Sequence, residues 1–124
     1  FAQESWVFST SAHTIAECRE LPGGFSMVYI SPVFDSISKS NHFSSFDLST
    51  VKTFLQKNNN GAVHYYALGG INMTNIRKVA TAGFDGAGIL GAIWEPFRQG
   101  YKHTAMESFQ DLMMATKTSA YDGK

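Results

Sequence analysis

The chain has 124 residues, about the length of one domain with its own hydrophobic core. Its ten basic and ten acidic residues give a formal net charge of +0, which does not favour a nucleic-acid partner. No apolar run approaches the roughly 20 residues of a membrane span, and the single cysteine excludes an internal disulfide, so we expect a cytoplasmic protein without a membrane partner.

Four short apolar segments recur along the chain, and a helix-like pattern follows each of them. The predicted strands are residues 5–10, 26–31, 62–68 and 86–93. The predicted helices are residues 13–21, 47–58, 73–83 and 105–117. Thr14 is the predicted N-cap of the first helix, and Gly83 is predicted to end the third. This alternation predicts βαβ units and an α/β fold with a parallel sheet.

Apolar residues at helical spacing predict which side of each helix packs against the sheet. They are Ile15, Cys18 and Leu21 in the first helix, Leu48, Val51 and Leu55 in the second, Ile76, Val79 and Ala80 in the third, and Met106, Phe109 and Met113 in the last. Four βα units form either a small open sheet or half of an eight-stranded barrel, and the spacing does not choose between the two.

The first unusual cluster follows the first predicted strand and contains Ser11 and His13. Its hydroxyls and imidazole are expected to face a ligand, although helix capping explains Thr14 equally well. The second cluster is a connection of about fifteen residues, and loops of that length are usually functional or disordered. Lys39 lies there among serines, a combination that suits phosphate oxygens, although a solvated lysine is the simpler interpretation of composition alone.

Glycines mark the ends of the third and fourth predicted strands. Gly69 and Gly70 precede a helix, so backbone N–H groups there could approach an anion, and Asn72 is interpreted as the cap of that helix. Gly91 and the following alanine interrupt the fourth apolar segment. Two pairs of small residues after successive strands predict a phosphate-binding site.

Taken in order, these clusters resemble the thiamine phosphate synthase family and its thiazole tautomerase relatives. The four matching stretches are SAHT, SPVFDSISK, ALGGINMTN and AGFDGAGILGAI. The resemblance runs from about Ser9 to Ile93. It implies that residues 1–124 are a single segment, the C-terminal half of a TIM (β/α)8 barrel. The start at Phe1 rather than Met is in keeping with a processed product or a segment of a longer chain.

The family's reaction joins a hydroxymethylpyrimidine diphosphate to a thiazole phosphate and releases pyrophosphate with the help of magnesium. By resemblance, Ser11 and Lys39 contact the diphosphate, and Lys39 stabilises the departing pyrophosphate. Ser36 and Ser38 lie beside the thiazole phosphate. The backbone N–H groups that would hold this phosphate belong to Gly70, Leu90 and Gly91.

This chain departs from the family pattern at several positions. Ser31 precedes Pro32 where the family has glycine, serines 36 and 38 replace two threonines, and Gly91 stands where serine is frequent. The basic pyrimidine-side motif and the magnesium ligands belong to the first half of the family's barrel. We therefore assign no metal ligand in this chain, and expect it to be inactive alone and to pair with a missing half-barrel or with itself.

Two alternatives remain open. The tautomerase branch uses the histidine of the same motif in proton transfer, and His13 occupies that position. A non-catalytic phosphate-binding relative of the same fold is the other.

Overall fold

The computed structural model describes residues 6–34, 46–89, 92 and 105–122. Four strands and four helices alternate within these residues. They are β1 (Ser9–Ala12), α1 (Ile15–Glu20), β2 (Met27–Ile30), α2 (Leu48–Lys57), β3 (His64–Ala67), α3 (Ile76–Ala82), β4 (Gly86–Ala87) and α4 (Ala105–Asp122). The predicted α/β fold with alternating units is confirmed.

The four strands form one parallel sheet in the order β1-β2-β3-β4. Each strand therefore pairs with the next strand along the chain, and each crossover connection moves the chain one strand further across the sheet. The register aligns Ser11 with Tyr29, Tyr29 with Tyr66, and Tyr66 with Gly86. All four strands consequently end at the same edge of the sheet, which is where ligands bind in parallel α/β folds.

The two faces of the sheet differ in burial. Alternate residues of β1, β2 and β3 form one hydrophobic core with the helices, and they are Ala12, Val28, Ile30, Tyr65 and Ala67. The opposite face is partly or fully exposed in the described residues, and it carries Ser9, Ser11, Met27, Tyr29, His64 and Tyr66. The described helices thus cover one face and leave the other open.

The first and last strands differ in position from the prediction. β1 begins at Ser9 rather than at residue 5, and the apolar residues before it, Trp6, Val7 and Phe8, are all exposed. β4 is confined to Gly86 and Ala87. The prediction from hydrophobicity placed β1 too early in the sequence. The strand pairs through its backbone, so its serines and threonine pair as well as apolar residues do.

Helix ends match the sequence signals at two positions. Thr14 caps α1, because its side chain accepts a hydrogen bond from the Glu17 N–H at 3.0 Å. Gly83 ends α3 with a left-handed φ of 100°. Asn72 is not the cap of α3, however. The N-cap is Asn75, and α3 starts at Ile76 after a turn.

The prediction of helix faces was wrong on three helices. On α2, Leu48 is 38% exposed, whereas Val51 and Leu55 are buried as predicted. Ala80 is exposed on α3, and Ala82 is buried instead. On α4, Met106, Phe109 and Met113 are 62%, 46% and 41% exposed. The buried stripe of α4 consists of Ser108, Leu112 and Ala115, because small side chains allow this helix to pack closely. Among the described helices, none is both long and apolar enough to cross a membrane.

Candidate functional site

The carboxyl edge of the sheet brings together the segments that follow β1, β2 and β3. They contain His13, residues 31–34 and residues 68–70, which are three of the stretches that the sequence singled out. Direct hydrogen bonds join each segment to the next. The edge is therefore a connected surface and not a set of independent loops.

His13 links the first segment to the second. Its Nδ1 lies 2.7 Å from the carbonyl oxygen of Ser31. A carbonyl only accepts hydrogen bonds, so Nδ1 carries the proton that it donates, and Nε2 of the neutral ring keeps its lone pair. The His13 side chain is exposed. An imidazole held in this tautomer at an open edge is suited to accept a proton through Nε2.

A capping arrangement fixes the backbone at His13. The His13 N–H donates to the Glu17 carboxylate at 2.8 Å, while the Thr14 hydroxyl accepts from the Glu17 N–H. The sequence contains the signal for this arrangement, because Thr14 and Glu17 have the spacing of a capping box. The position of His13 therefore depends on the start of α1 as well as on β1.

The second and third segments run side by side beyond the ends of β2 and β3. The N–H of Val33 donates to the Leu68 carbonyl at 2.9 Å, and the N–H of Phe34 donates to the Gly69 carbonyl at 3.2 Å. Val33 and Phe34 are fully buried. These contacts extend the pairing of β2 and β3 and fix the height of the glycine pair above the sheet.

Close approach of the neighbouring segment explains why residues 69 and 70 are glycines. Both have positive φ, 101° for Gly69 and 66° for Gly70. A Cβ at Gly69 would lie 2.7 Å from the Cα of Pro32, and a Cβ at Gly70 would lie 2.8 Å from the Phe34 carbonyl oxygen. The glycines are thus required by internal packing, whether or not an anion binds beside them. For the same reason, a bulky substitution at Gly70 disturbs Phe34 and cannot test anion binding.

The N–H groups of the glycine pair are nevertheless available. The carbonyls of Gly69 and Gly70 accept hydrogen bonds from the Phe34 N–H and the Asn75 side chain. Within the described part of the chain, the N–H groups of Gly69, Gly70 and Ile71 donate to no protein acceptor. Backbone donors without an internal partner, here on half-buried Gly69 and Gly70 and on buried Ile71, are suited to an anionic ligand.

Asn75 holds this turn in place, a role that the sequence analysis missed. Its side chain is 1% exposed. Its Nδ2 donates to the Gly70 carbonyl at 2.8 Å, and its Oδ1 accepts from the Asn72 N–H at 2.8 Å. Asn72 itself is exposed and accepts from the N–H and hydroxyl of Thr74. Asn75 is buried and Asn72 is exposed, and this difference separates their roles. The sequence alone does not reveal which of the two is buried.

The remaining predicted site residues divide into two groups. Ser11 lies inside β1 rather than after it, exposed on the open face of the sheet. Lys39, Ser36, Ser38, Leu90 and Gly91 lie outside the described residues. Of the eight predicted residues, the described structure thus contains Ser11, His13 and Gly70, all at or near one edge of the sheet.

A cavity of about 340 Å³ lies at the other end of the sheet, between the C-terminal ends of α1 and α2. Cys18, Phe54 and Tyr65 are among its lining residues. Burial raises the pKa of the Cys18 thiol to about 11, which is typical of a structural rather than a reactive cysteine. The cavity is therefore separate from the edge that carries His13 and the glycine pair.

Solved structures show the same fold. The thiamine phosphate pyrophosphorylase of Bacteroides thetaiotaomicron aligns over 95% of this chain and 54% of its own, with 22% identity and a TM-score of 0.60. The thiamine phosphate pyrophosphorylase of Pyrococcus furiosus aligns over 88% of this chain and 48% of its own, with 19% identity and a TM-score of 0.61. A native KDPGal structure covers 94% of this chain and 48% of its own, at 17% identity and a TM-score of 0.54. The chain thus spans about half the length of these proteins.

No curated protein sequence matches the chain. The family model described as thiamine monophosphate synthase matches residues 1–93, which include β1 to β4 and the edge described above. That match covers three quarters of the sequence. On this basis, the chain belongs to the thiamine monophosphate synthase family.

Proposed function

We propose that the chain is the C-terminal half of a (β/α)8 barrel. Three observations support this proposal: the strands follow one another in sequential parallel order, the described helices cover one face, and the chain aligns with about half of two thiamine phosphate pyrophosphorylases. In a closed barrel, helices form the outer layer, and the inner face of the sheet packs against itself. The open face with Tyr29 and Tyr66 is the inner face in this arrangement.

The reaction that the assembled barrel would catalyse is the joining of hydroxymethylpyrimidine diphosphate to a thiazole phosphate. A new bond joins the thiazole to the pyrimidine's methylene carbon as the C–O bond from that carbon to the diphosphate breaks, and pyrophosphate leaves. Negative charge increases on the leaving oxygens as that bond breaks, so fixed cations and hydrogen-bond donors lower the barrier. The family match supports this assignment, and the observation that carries it is the group of strand-end segments joined at one edge.

Each residue has a distinct role in this proposal. Lys39 stabilises the departing pyrophosphate as a point charge, and Ser11 hydrogen-bonds to the same diphosphate. Ser36 and Ser38 donate to the thiazole phosphate. These hydroxyls are neutral donors, so they orient the ester without competing for the charge of Lys39.

Backbone groups complete the phosphate site. The Gly70 N–H has no acceptor in the described part of the chain, and it lies on the turn that Asn75 fixes. Together with the N–H groups of Leu90 and Gly91, it would hold the thiazole phosphate. Donors that are fixed before the ligand arrives cost little reorganisation on binding.

Magnesium ligands are assigned to the other half of the barrel. Among the described residues, no group of three His, Cys, Asp or Glu side chains is placed to hold a metal ion. The proposal places the reaction in the cytoplasm and implies that the isolated chain does not turn over substrate.

Pyrophosphate and thiazole phosphate binding test the assignment of Lys39. We expect Lys39→Ala to weaken pyrophosphate binding about tenfold or more, the effect of losing one charge-assisted hydrogen bond, and to leave thiazole phosphate binding nearly unchanged. Calorimetric titration of the chain with each ligand measures both. Lys52→Ala, on the exposed side of α2, is the matched control for the loss of one positive charge. Equal weakening of both ligands, or no effect, contradicts the assignment.

A thiazole tautomerase is the second candidate, in which His13 would transfer the proton. The hydrogen bond to Ser31 leaves Nε2 as the basic atom at an exposed position. His13→Asn keeps a donor near the position of Nδ1 and removes Nε2. If His13 transfers the proton, this variant loses deuterium exchange between D2O and a thiazole phosphate while its melting temperature is unchanged. Retained exchange assigns His13 a structural role, and ligand binding without turnover or exchange in an assembled barrel favours the non-catalytic relative.

A further inference from the structure

The open face of the sheet is mostly neutral and contains two large aromatic side chains. Tyr29 and Tyr66 lie side by side with ring centroids 5.7 Å apart. The Tyr66 ring also covers Gly86, where an added Cβ would lie 2.8 Å from the ring. Met27 and His64 occupy the next row. His64 is the titratable side chain on the described part of this face other than the tyrosines, and its Nδ1 lies 3.7 Å from the Asp85 carboxylate. Within the described residues, the charge that a partner desolvates on covering this face is therefore limited to this pair.

Both lateral edges of the sheet carry unused backbone groups in the described residues. The carbonyls of Phe8 and Ala12 accept from Ser26 and Ser31 of the β2 region. Since successive residues of a strand direct their backbone groups to opposite sides, the N–H and C=O groups of Ser9 point away from β2.

At the β4 edge, the N–H of Asp85 donates to the Tyr65 carbonyl at 2.8 Å. The N–H of Gly88 donates to the Ala67 carbonyl at 2.8 Å, so the backbone groups of its neighbour Ala87 point away from β3. One edge of the sheet thus ends in β1 and the other in β4, and both strands run in the same direction. These two edges can pair with each other in parallel if they belong to different molecules.

We propose that, without the other half-barrel, a second copy of this chain occupies the open face, and that two copies close one eight-stranded barrel. β1 of each copy pairs with β4 of the other, which continues the strand order without a break. A head-to-tail interface closes into a ring when the rotation between neighbouring copies is a whole fraction of 360°. This chain aligns with 48–54% of the length of its structural neighbours, so one copy supplies about half of a barrel. The net charge of +0 gives no long-range repulsion between copies.

Exposed apolar residues beside β1 favour the same partner. Trp6, Val7 and Phe8 are 63%, 61% and 46% exposed, and they precede the free edge strand. Burial of such a group at an interface stabilises association by roughly 25 cal/mol for each Å² of apolar surface. The edge strand would otherwise present a template for uncontrolled pairing. Closure by a second copy removes both edges at once.

Closure also changes the candidate site. The carboxyl end of β1 in one copy lies next to the carboxyl end of β4 in the other. Ser11 and His13 of each copy then lie beside the partner's β4 end, so the edge that contains them is incomplete in the monomer. This inference rests on the half-barrel proposal but not on the phosphate chemistry, because association is measured without a ligand.

Mass measurement of the 124-residue chain tests the proposal. Sedimentation equilibrium is expected to give about 27 kDa, twice the 13.6 kDa of one chain. Ser9→Pro removes an outward N–H that the monomer does not use, and edge strands tolerate proline. Ser9→Ala keeps that N–H and is the matched control. We expect Ser9→Pro to raise the dimer dissociation constant about tenfold or more relative to Ser9→Ala.

Hydrogen exchange provides a measurement that needs no variant. In the dimer, the amide of Ser9 is paired across the interface, so its protection approaches that of Thr10, which points to β2. A monomer at micromolar concentration, a larger or polydisperse assembly, or fast exchange at Ser9 with slow exchange at Thr10 overturns the proposal. Association only after addition of the other half-barrel overturns it as well.

Discussion

The buried side chain of Asn75 makes a stability prediction that tests how the glycine turn is built. In Asn75→Ala, the Gly70 carbonyl loses its side-chain donor and the Asn72 N–H loses its acceptor, two bonds of 2.8 Å. Each unpaired group costs about 1–3 kcal/mol. Asn72 is exposed and Gly70 is half-buried, so water replaces part of the loss. We expect a decrease of about 3 kcal/mol in the free energy of unfolding.

That decrease corresponds to a melting temperature lower by about 10 °C for a chain of 124 residues. Thermal unfolding followed by circular dichroism, at one fixed protein concentration because association shifts the midpoint, measures it. Asn72→Ala is the control, because it removes an exposed side chain that, within the described residues, accepts from Thr74 alone. If Asn75→Ala costs less than about 1 kcal/mol, or no more than Asn72→Ala, the turn does not depend on this amide and the reasoning is refuted.

Two further predictions concern backbone conformation and the buried thiol. Gly69→Ala is expected to lower the free energy of unfolding by about 2 kcal/mol or more, because φ is 101° and the new Cβ would lie 2.7 Å from the Cα of Pro32. Gly23→Ala is the control, since nothing lies within 4 Å of its added Cβ, and it should be tolerated in the same denaturation assay. Equal effects of the two substitutions would contradict the packing argument. The pKa of Cys18 is raised from 9.0 to about 11 by burial, so the folded state keeps a proton that the unfolded chain releases. Stability relative to Cys18→Ala is therefore fully present below pH 9 and decreases between pH 9 and 11 by up to about 3 kcal/mol; a pH-independent difference between the two proteins would show that the thiol is not desolvated.

The element order was predictable because strand and helix periods are local. Thr14 and Gly83 carry capping signals that depend only on nearby residues, and both act as predicted. The start of β1 was not predictable in this way. The predicted strand covered residues 5–10, and Ser11 and Ala12 were expected to follow it. The strand instead runs from Ser9 to Ala12, because pairing with β2 and not hydrophobicity selects its residues.

Tertiary contacts decided the features that the sequence did not reveal. The glycine pair was interpreted through an anion, whereas Pro32 and Phe34 already require it. The Asn75 side chain donates to the Gly70 carbonyl, five residues away in the chain, and residue propensities do not predict the turn between them. The buried stripe of α4 runs through Ser108 and Ala115 because close packing, not hydrophobicity, selects the side that faces the core.

The central claim is that the turn after β3 presents backbone N–H groups to a phosphate ester. Titration of the ¹⁵N-labelled chain with thiazole phosphate tests it most directly through the amide signals of Gly69, Gly70 and Ile71. We predict saturable downfield shifts of these amide protons, as expected for new hydrogen bonds to an anion. Unchanged signals at all three positions while the ligand binds elsewhere, or no binding at all, would contradict the account.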